Sequence, residues 1–337
     1  MSKKIIWMQG FDHLPQYSAT ASSAVFISFV NKYSLISPWE IFTTSTGKIG
    51  TASVQGKSYK GVNTGLTNTG SRIELTVNAD SYPNQIVYVG VRVSASNSLN
   101  SSYSPFTVQY SGGTLKTATH VGGGEFSYYC EIALNTKTGE LRAYSNGQQT
   151  TDNSVISSSK YATMVCPGSL GLSGVGLVYS DFYIAVDDDT TAKMSPFGNL
   201  FVGSCTAQRF SGNASAYNTL GLDIVTDLNS IYDSAYQDVG GFLHMTTAPG
   251  TLKYNAVPTA TDNVIAVQTT GLTSPPAEGC ALAQKIYLNG VKQSMITSKF
   301  SGAAPSYVQY NTVTNFSDWQ SGAELAGLEV VINAAKT

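Results

Sequence analysis

The sequence predicts an all-β protein, an antiparallel β-sandwich or jelly roll followed by a second, smaller β-rich domain. Three observations carry this. Residues 126–147 alternate: Phe126, Tyr128, Cys130, Ile132 and Leu134 fall on one face, and Ser127, Tyr129, Glu131 and Ala133 on the other, the period of two of a half-buried strand. Residues 86–95 repeat the pattern, with Val87, Val89, Val91 and Val93 against Tyr88 and Arg92; β-branched residues at every second position suit a central strand. Short runs of this kind recur between turn residues as far as residue 205 with almost no helical periodicity, and strands without intervening helices build antiparallel sheets.

The first predicted strand is 4–9, ahead of Gly10-Phe11-Asp12-His13. An apolar run at 24–30 is a second, and Trp39 to Phe42 is either a further element or part of a loop. Gly, Ser and Thr crowd residues 43–70, so strands there are short. Residues 72–77, 86–95 and 106–110 follow. The long hairpin turns at 135–139, returns through Leu141, Ala143 and Ser145, and ends at Asn146-Gly147, a pair that accepts the positive φ of a tight turn. A two-stranded ribbon with one apolar face is marginal in water, so other strands must cover it. Strands are then expected in 170–186 and 200–205, and again at 263–270, 280–289, 307–314 and 325–333, with a helical turn in 224–235. The Gly/Ser/Asn-rich stretch 211–218 is the predicted linker, which gives domains 1–212 and 213–337.

With 337 residues the chain exceeds what a single core accommodates, in keeping with two domains. Charged residues make up 12% of it, about half the usual ~25%. Apolar content of 42% with 20 Tyr and 13 Phe separates this from the composition of disorder. A net charge of −2 supplies no basic stripe for a phosphate backbone, so nucleic acid is set aside as a partner. The opening Met-Ser-Lys-Lys-Ile-Ile-Trp-Met is too short for a signal-peptide core, and no apolar run approaches the ~18 residues of a membrane span. A soluble chain made in a cytoplasm, without membrane association, is therefore expected.

Candidate chemistry is sparse. The four cysteines show no CxxC spacing, and Cys130 reads as a small buried hydrophobe; whether Cys166, Cys205 and Cys280 pair depends on the fold. His13, His120 and His244 are widely spaced and stand beside no ligand cluster, and no GxSxG turn accompanies them. Gly122-Gly123-Gly124 leads into a strand rather than a helix, which removes a phosphate-loop reading. The alternating acids Asp187 and Asp189 read as a solvated loop before a cation site of oxygen ligands, and before a catalytic pair. No cofactor is implied. Tyr88, Tyr129 and Tyr144 occupy the strand face opposite the apolar one and, if outward, would serve either a subunit interface or stacking against a glycan.

Several landmarks resemble the concanavalin A-like, or LamG-like, jelly rolls of structural proteins of tailed bacteriophages. They are Gly10-Phe11-Asp12-His13, the hairpin ending in Asn146-Gly147, Ser180-Asp181-Phe182-Tyr183, and Phe197-Gly198-Asn199. In the tail, residues 265–268 and 279–282, Asn289-Gly290, and residues 319–329, which begin at Trp319, are similar to the C-terminal segment of the same proteins. The resemblance implies a concanavalin A-like lectin fold and a non-enzymatic virion structural protein displayed on head, neck or tail. Asp181 and Trp319 would have structural roles. Partners would be other virion proteins and further copies of the chain, a trimer foremost. A glycan- or receptor-binding tail adhesin is the alternative, and a glycoside-cleaving enzyme a more distant one: no strand carries the run of alternating carboxylates such an enzyme places beside the scissile bond. A terminal apolar strand at 325–332 would need covering, by this chain or by a neighbour.

Overall fold

The computed structural model describes residues 3–10, 39–42, 48–63, 72–78, 81–96, 107–110, 113–116, 124–156, 161–167, 177–203, 207–211, 214–218, 241–245, 250–254, 263–273, 280–288, 291–300, 308–321 and 328–336. Every element among them is a β-strand, and every strand pairing is antiparallel. No helix among the described residues is long and apolar enough to cross a membrane. The expected strand at 24–30 and helical turn at 224–235 lie outside the described residues.

The chain divides into two compact units, one reaching to Val202 and the other beginning at Gly203. The first contains β1 (Lys3–Gln9), β2 (Trp39–Phe42), β3 (Lys48–Val54), β4 (Lys57–Asn63), β5 (Arg72–Asn78), β6 (Ile86–Ala95), β7 (Thr107–Tyr110), β8 (Gly113–Lys116), β9 (Phe126–Asn135), β10 (Glu140–Ser145), β11 (Gln148–Ile156), β12 (Tyr161–Pro167) and β13 (Val178–Asp187). They form an eight-stranded sheet ordered β11-β10-β9-β6-β13-β4-β3, with β1 also on β13, and a five-stranded sheet ordered β2-β5-β12-β7-β8. Strands distant in sequence lie side by side in both, as a sandwich of non-local pairings requires.

The long hairpin is β9 and β10. Asn135 closes it: its carbonyl accepts from Gly139 N at 2.7 Å, and its side-chain oxygen accepts from the amides of Lys137 and Thr138. At the far end Asn146 and Gly147 have φ of 48° and 79°, the double positive φ that a two-residue hairpin turn demands. The first arm of the hairpin, β9, is not half-buried as its alternation predicts, whereas β10 mixes buried and half-exposed positions. β6 and β13 are buried along their whole length and β9 from Tyr129 onward.

Register explains the two faces. Val89, Ile132, Ala143 and Ile184 stand opposite one another on the apolar face, whereas Tyr144, Glu131, Gly90 and Tyr183 form the matching row on the other. Residues 188–202, which follow β13, fold back over that second face and bury it. The expected strand at 200–205 is accordingly corrected: residues 200–203 form no ladder, residues 200–202 belong to this covering strap, and residues 204–205 lie outside the described residues.

β13 is irregular where it matters. Its first residues, Val178 and Tyr179, pair with β4, and residues from Phe182 onward pair with β1. Between these stretches Asp181 has φ of 49°, and the register against β6 slips by one residue between Ser180 and Tyr183. This is a β-bulge: one extra residue re-aims a side chain and lets one strand edge serve two partners.

The second unit contains β14 (Ala207–Ser211), β15 (Ala214–Asn218), β16 (Gly241–Met245), β17 (Gly250–Tyr254), β18 (Asn263–Thr273), β19 (Cys280–Leu288), β20 (Val291–Phe300), β21 (Val308–Ser321) and β22 (Leu328–Lys336). Five form a sheet ordered β14-β17-β22-β19-β20, and β15–β16 and β18–β21 are two-stranded. Within the stretch 211–218, Ser211 ends β14 and residues 214–218 form β15, while residues 212–213 lie outside the described residues. The C-terminal strand β22 is central, bonded to β17 on one side and β19 on the other. Its edges are covered by its own chain, with no neighbour required.

Candidate functional site

The polar face of the larger sheet holds the most concentrated chemistry among the described residues. Three charged side chains sit inside otherwise apolar or aromatic strands: Arg92 on β6, Glu131 on β9 and Asp181 on β13 are each at most 5% exposed. Buried charges persist only when paired or hydrogen-bonded, and two of these three are paired directly.

Arg92 and Asp181 form the centre. The guanidinium Nε donates to Asp181 Oδ2 at 2.5 Å, and Nη2 donates to Asn199 Oδ1 at 2.6 Å and to the carbonyl of Leu200 at 2.5 Å. The guanidinium carbon lies over two rings, 5.0 Å from the centroid of Tyr59 and 5.1 Å from that of Tyr129, contacts that favour arginine over lysine. The other Asp181 oxygen accepts from Val202 N at 3.0 Å, and its carbonyl accepts from Tyr129 OH at 2.7 Å. Burial raises the Asp181 carboxyl above its ordinary value even though the Arg92 charge and the Val202 amide pull it down.

Glu131 stands one row along. Its Oε1 accepts from Tyr183 OH at 2.5 Å and from Gly198 N at 3.1 Å, while Oε2 is buried with no hydrogen-bond partner among the described residues. Burial pushes its carboxyl up to about 7, against the opposing effects of Tyr183, the Gly198 amide and the Lys3 charge. The rings of Tyr129 and Tyr183 lie parallel over this row, centroids 6.4 Å apart and planes 6° from each other. Gly90 makes room for them, since a Cβ there would come within 2.3 Å of Tyr183 Cε1. Burial holds both phenols well above their ordinary pKa.

Lys3 closes the row from β1. Its ammonium donates to the Ser195 carbonyl and lies 4.6 Å from the Tyr88 ring centroid and 4.5 Å from that of Phe197. Burial lowers its pKa, while Asp187 and Glu131 oppose that shift. Tyr144 OH donates to the carbonyl of Met194. The strap is therefore bonded to the sheet at Met194, Ser195, Gly198, Asn199, Leu200 and Val202.

This geometry corrects the outward placement of the tyrosines. Tyr88, Tyr129 and Tyr144 lie on the predicted face, but Tyr88 and Tyr129 are fully buried and Tyr144 is 5% exposed. Alternation distinguishes the two faces of a strand without saying whether one of them meets solvent, and here the strap takes solvent's place. Asp187 is buried, and its Oδ1 accepts from the Asp189 amide at 3.0 Å. Asp189 Oδ1 accepts from the Thr191 hydroxyl and amide, which lower its pKa. Their oxygens thus shape the turn that begins the strap, and no group of three His, Cys, Asp or Glu among the described residues could hold a metal ion. Cys130 is buried on the apolar face. Trp319 belongs to β21, and His13 and His120 lie outside the described residues.

Arg92, Glu131 and Lys3 are not singled out by any motif. The available signal is their position: single charges in the middle of, or leading into, strands that are otherwise apolar or aromatic, on the side where tyrosines gather.

Landmarks separated by almost the whole first unit meet here. Gly10 packs so tightly on Val202 that a Cβ would lie 2.0 Å from its carbonyl oxygen. Asp181 holds the amide of the same Val202, and Arg92 ties Asp181 to Asn199. Asn146 accepts from the amide of Tyr129 at 2.8 Å, and Gly147 faces Gly198.

No family model and no curated protein matches the chain. Among solved structures it is similar to the receptor binding domain of botulinum neurotoxin D, at 13% identity and a TM-score of 0.28 over 43% of this chain and 44% of that one. It is similar also to a carbohydrate esterase from the Shiga toxin-encoding bacteriophage phi24B, at 9% identity and a TM-score of 0.33 over 54% of this chain and 100% of that one. A third is the CBM22 tandem domain of Paenibacillus barcinonensis Xyn10C, at 11% identity and a TM-score of 0.27 over 99% and 90%. The chain thus spans less than half the length of the neurotoxin domain it matches.

Proposed function

We propose that this protein is a non-enzymatic structural component of a tailed bacteriophage particle, displayed on the particle surface through its β-sandwich. The observation that carries the reading is the convergence of Gly10, Asn146-Gly147, Asp181 and Gly198-Asn199 on one clasp. These are the residues on which the resemblance to phage jelly rolls rests, and their chemistry is spent on holding the strap to the sheet. Glu131 and Asp181, the buried carboxyls with raised pKa, lie beneath that strap with oxygens engaged by Tyr183, Arg92 and backbone amides. That supports a scaffold over a glycoside-cleaving pair, which must flank an accessible scissile bond. In this reading the second unit contributes to attachment alongside other virion proteins. Self-association is favoured by the low charge of the chain, while β22 needs no neighbour to cover its edges.

Antibody labelling of purified virions in the electron microscope, run beside polysaccharide-degradation and glycan-array assays, tests the proposal. Label on the particle surface with no sugar release and no array signal is expected. Array binding without cleavage would replace it with the adhesin reading, and released oligosaccharide would overturn the non-enzymatic one.

A further inference from the structure

We propose that Glu131 is a proton-operated latch for the strap: protonated, it lets residues 194–202 stay seated on the tyrosine face, and on losing its proton it favours their release. The geometry has two parts. Glu131 Oε1 receives one bond from the sheet, Tyr183 OH, and one from the strap, Gly198 N. Oε2 receives none among the described residues and is buried. A neutral carboxyl tolerates that arrangement, whereas a carboxylate keeps half of its charge on an oxygen without a donor in a dry site. Lifting the strap gives that oxygen water. The covering side chain is Phe197, whose ring packs edge-on to Tyr183 with centroids 5.5 Å apart and carries no donor; its backbone amide lowers the Glu131 pKa alongside that of Gly198, without offsetting the effect of burial.

The groups around Glu131 leave it the most exposed of the cluster to such control. From β6 come Tyr88 and Arg92, from β10 Tyr144 and Arg142, from β13 Asp181, Tyr183 and Asp187, from β1 Lys3, and from β9 itself Tyr129. Arg92 is committed to Asp181 and the strap, Arg142 bonds Glu140, and the Lys3 ammonium is held by Ser195 and two rings. The strap segment 194–202 carries no titratable side chain. The phenols, with raised pKa, remain protonated across the neutral range.

The sign follows from linkage. The seated state holds the Glu131 carboxyl up to about 7, against 4.5 ordinarily, so seating is favoured below the ordinary value and progressively lost as pH rises through the raised one. Asp181, also raised, acts in the same direction, and Lys3, lowered, in the opposite one.

Amide hydrogen exchange of the full chain, corrected for intrinsic rates, tests this at about pH 5 and about pH 8 in wild type and in Glu131→Gln, which keeps the Oε1 acceptor but cannot titrate. Protection of 194–202 relative to β6 is expected to fall roughly ten- to one-hundredfold in wild type across that interval, and less than about threefold in the variant. A wild-type change below about threefold, or a variant that retains the wild-type change, overturns the proposal. Should the variant fail to fold, carbon-detected NMR titration of Glu131 in wild type decides. A midpoint near neutrality that coincides with loss of strap protection supports the latch, and one near ~4.3 overturns it.

Discussion

Replacing Arg92 with leucine is expected to destabilise the first unit by about 3–5 kcal/mol, the cost of leaving a buried charge without its partner. Asp181 is 2% exposed and loses its 2.5 Å guanidinium bond; Asn199 Oδ1 and the Leu200 carbonyl lose their donor at the same stroke. Leucine restores part of the apolar volume beside Tyr59 and Tyr129, so the loss is electrostatic before it is steric. Two companion measurements identify the cause. Combining Arg92→Leu with Asp181→Asn should recover part of the stability, because the stranded charge is gone. The single variant's deficit should also shrink as pH falls and Asp181 takes up a proton, which burial already favours. Denaturant unfolding that put Arg92→Leu within about 1 kcal/mol of wild type would mean that Asp181 is not sequestered as described.

Cys130→Asp is expected to abolish the soluble folded protein. Cys130 is fully buried on the apolar face, opposite Val91 of β6 and Ser145 of β10. A carboxylate buried on this apolar face costs several kcal/mol, a large share of a total stability of ~5–15 kcal/mol. Cys130→Ala, which removes only the sulfur, should fold and melt a few degrees lower, so that collapse of the aspartate variant alone locates the cost in the charge. An unchanged melting curve for Cys130→Asp would show the two faces of β9 to be reversed.

Both substitutions bear on what could be read before the fold was known. The faces of β6 and β9 are legible because Val89 and Ile132, and likewise Gly90 and Glu131, face each other in a register that preserves the alternation of each strand. The Asn146-Gly147 turn is legible because its backbone conformation restricts the residues that fit. Burial of Tyr88, Tyr129 and Tyr144 is not legible, because it depends on a strap whose own sequence, Met194 to Val202, has neither alternation nor helical period. The bulge at Asp181 was hidden for a related reason. One inserted residue changes neither the apolar content nor the length of β13, yet it aims a carboxylate at Arg92, 89 positions earlier in the chain. The central place of β22 likewise follows from long-range pairing with β17 and β19, which local pattern does not encode.

Residues 194–202 seal the tyrosine face of the larger sheet as part of the folded core. Residue-resolved amide exchange of the wild-type chain near pH 6 tests it most directly at Gly198 and Val202, whose N–H groups are bonded to Glu131 and Asp181. Protection of both amides comparable with that of Val89 and Ile132 is the predicted result. Exchange at either within about tenfold of an unstructured peptide would contradict it, because a strap that open leaves the buried carboxyls and tyrosines to solvent.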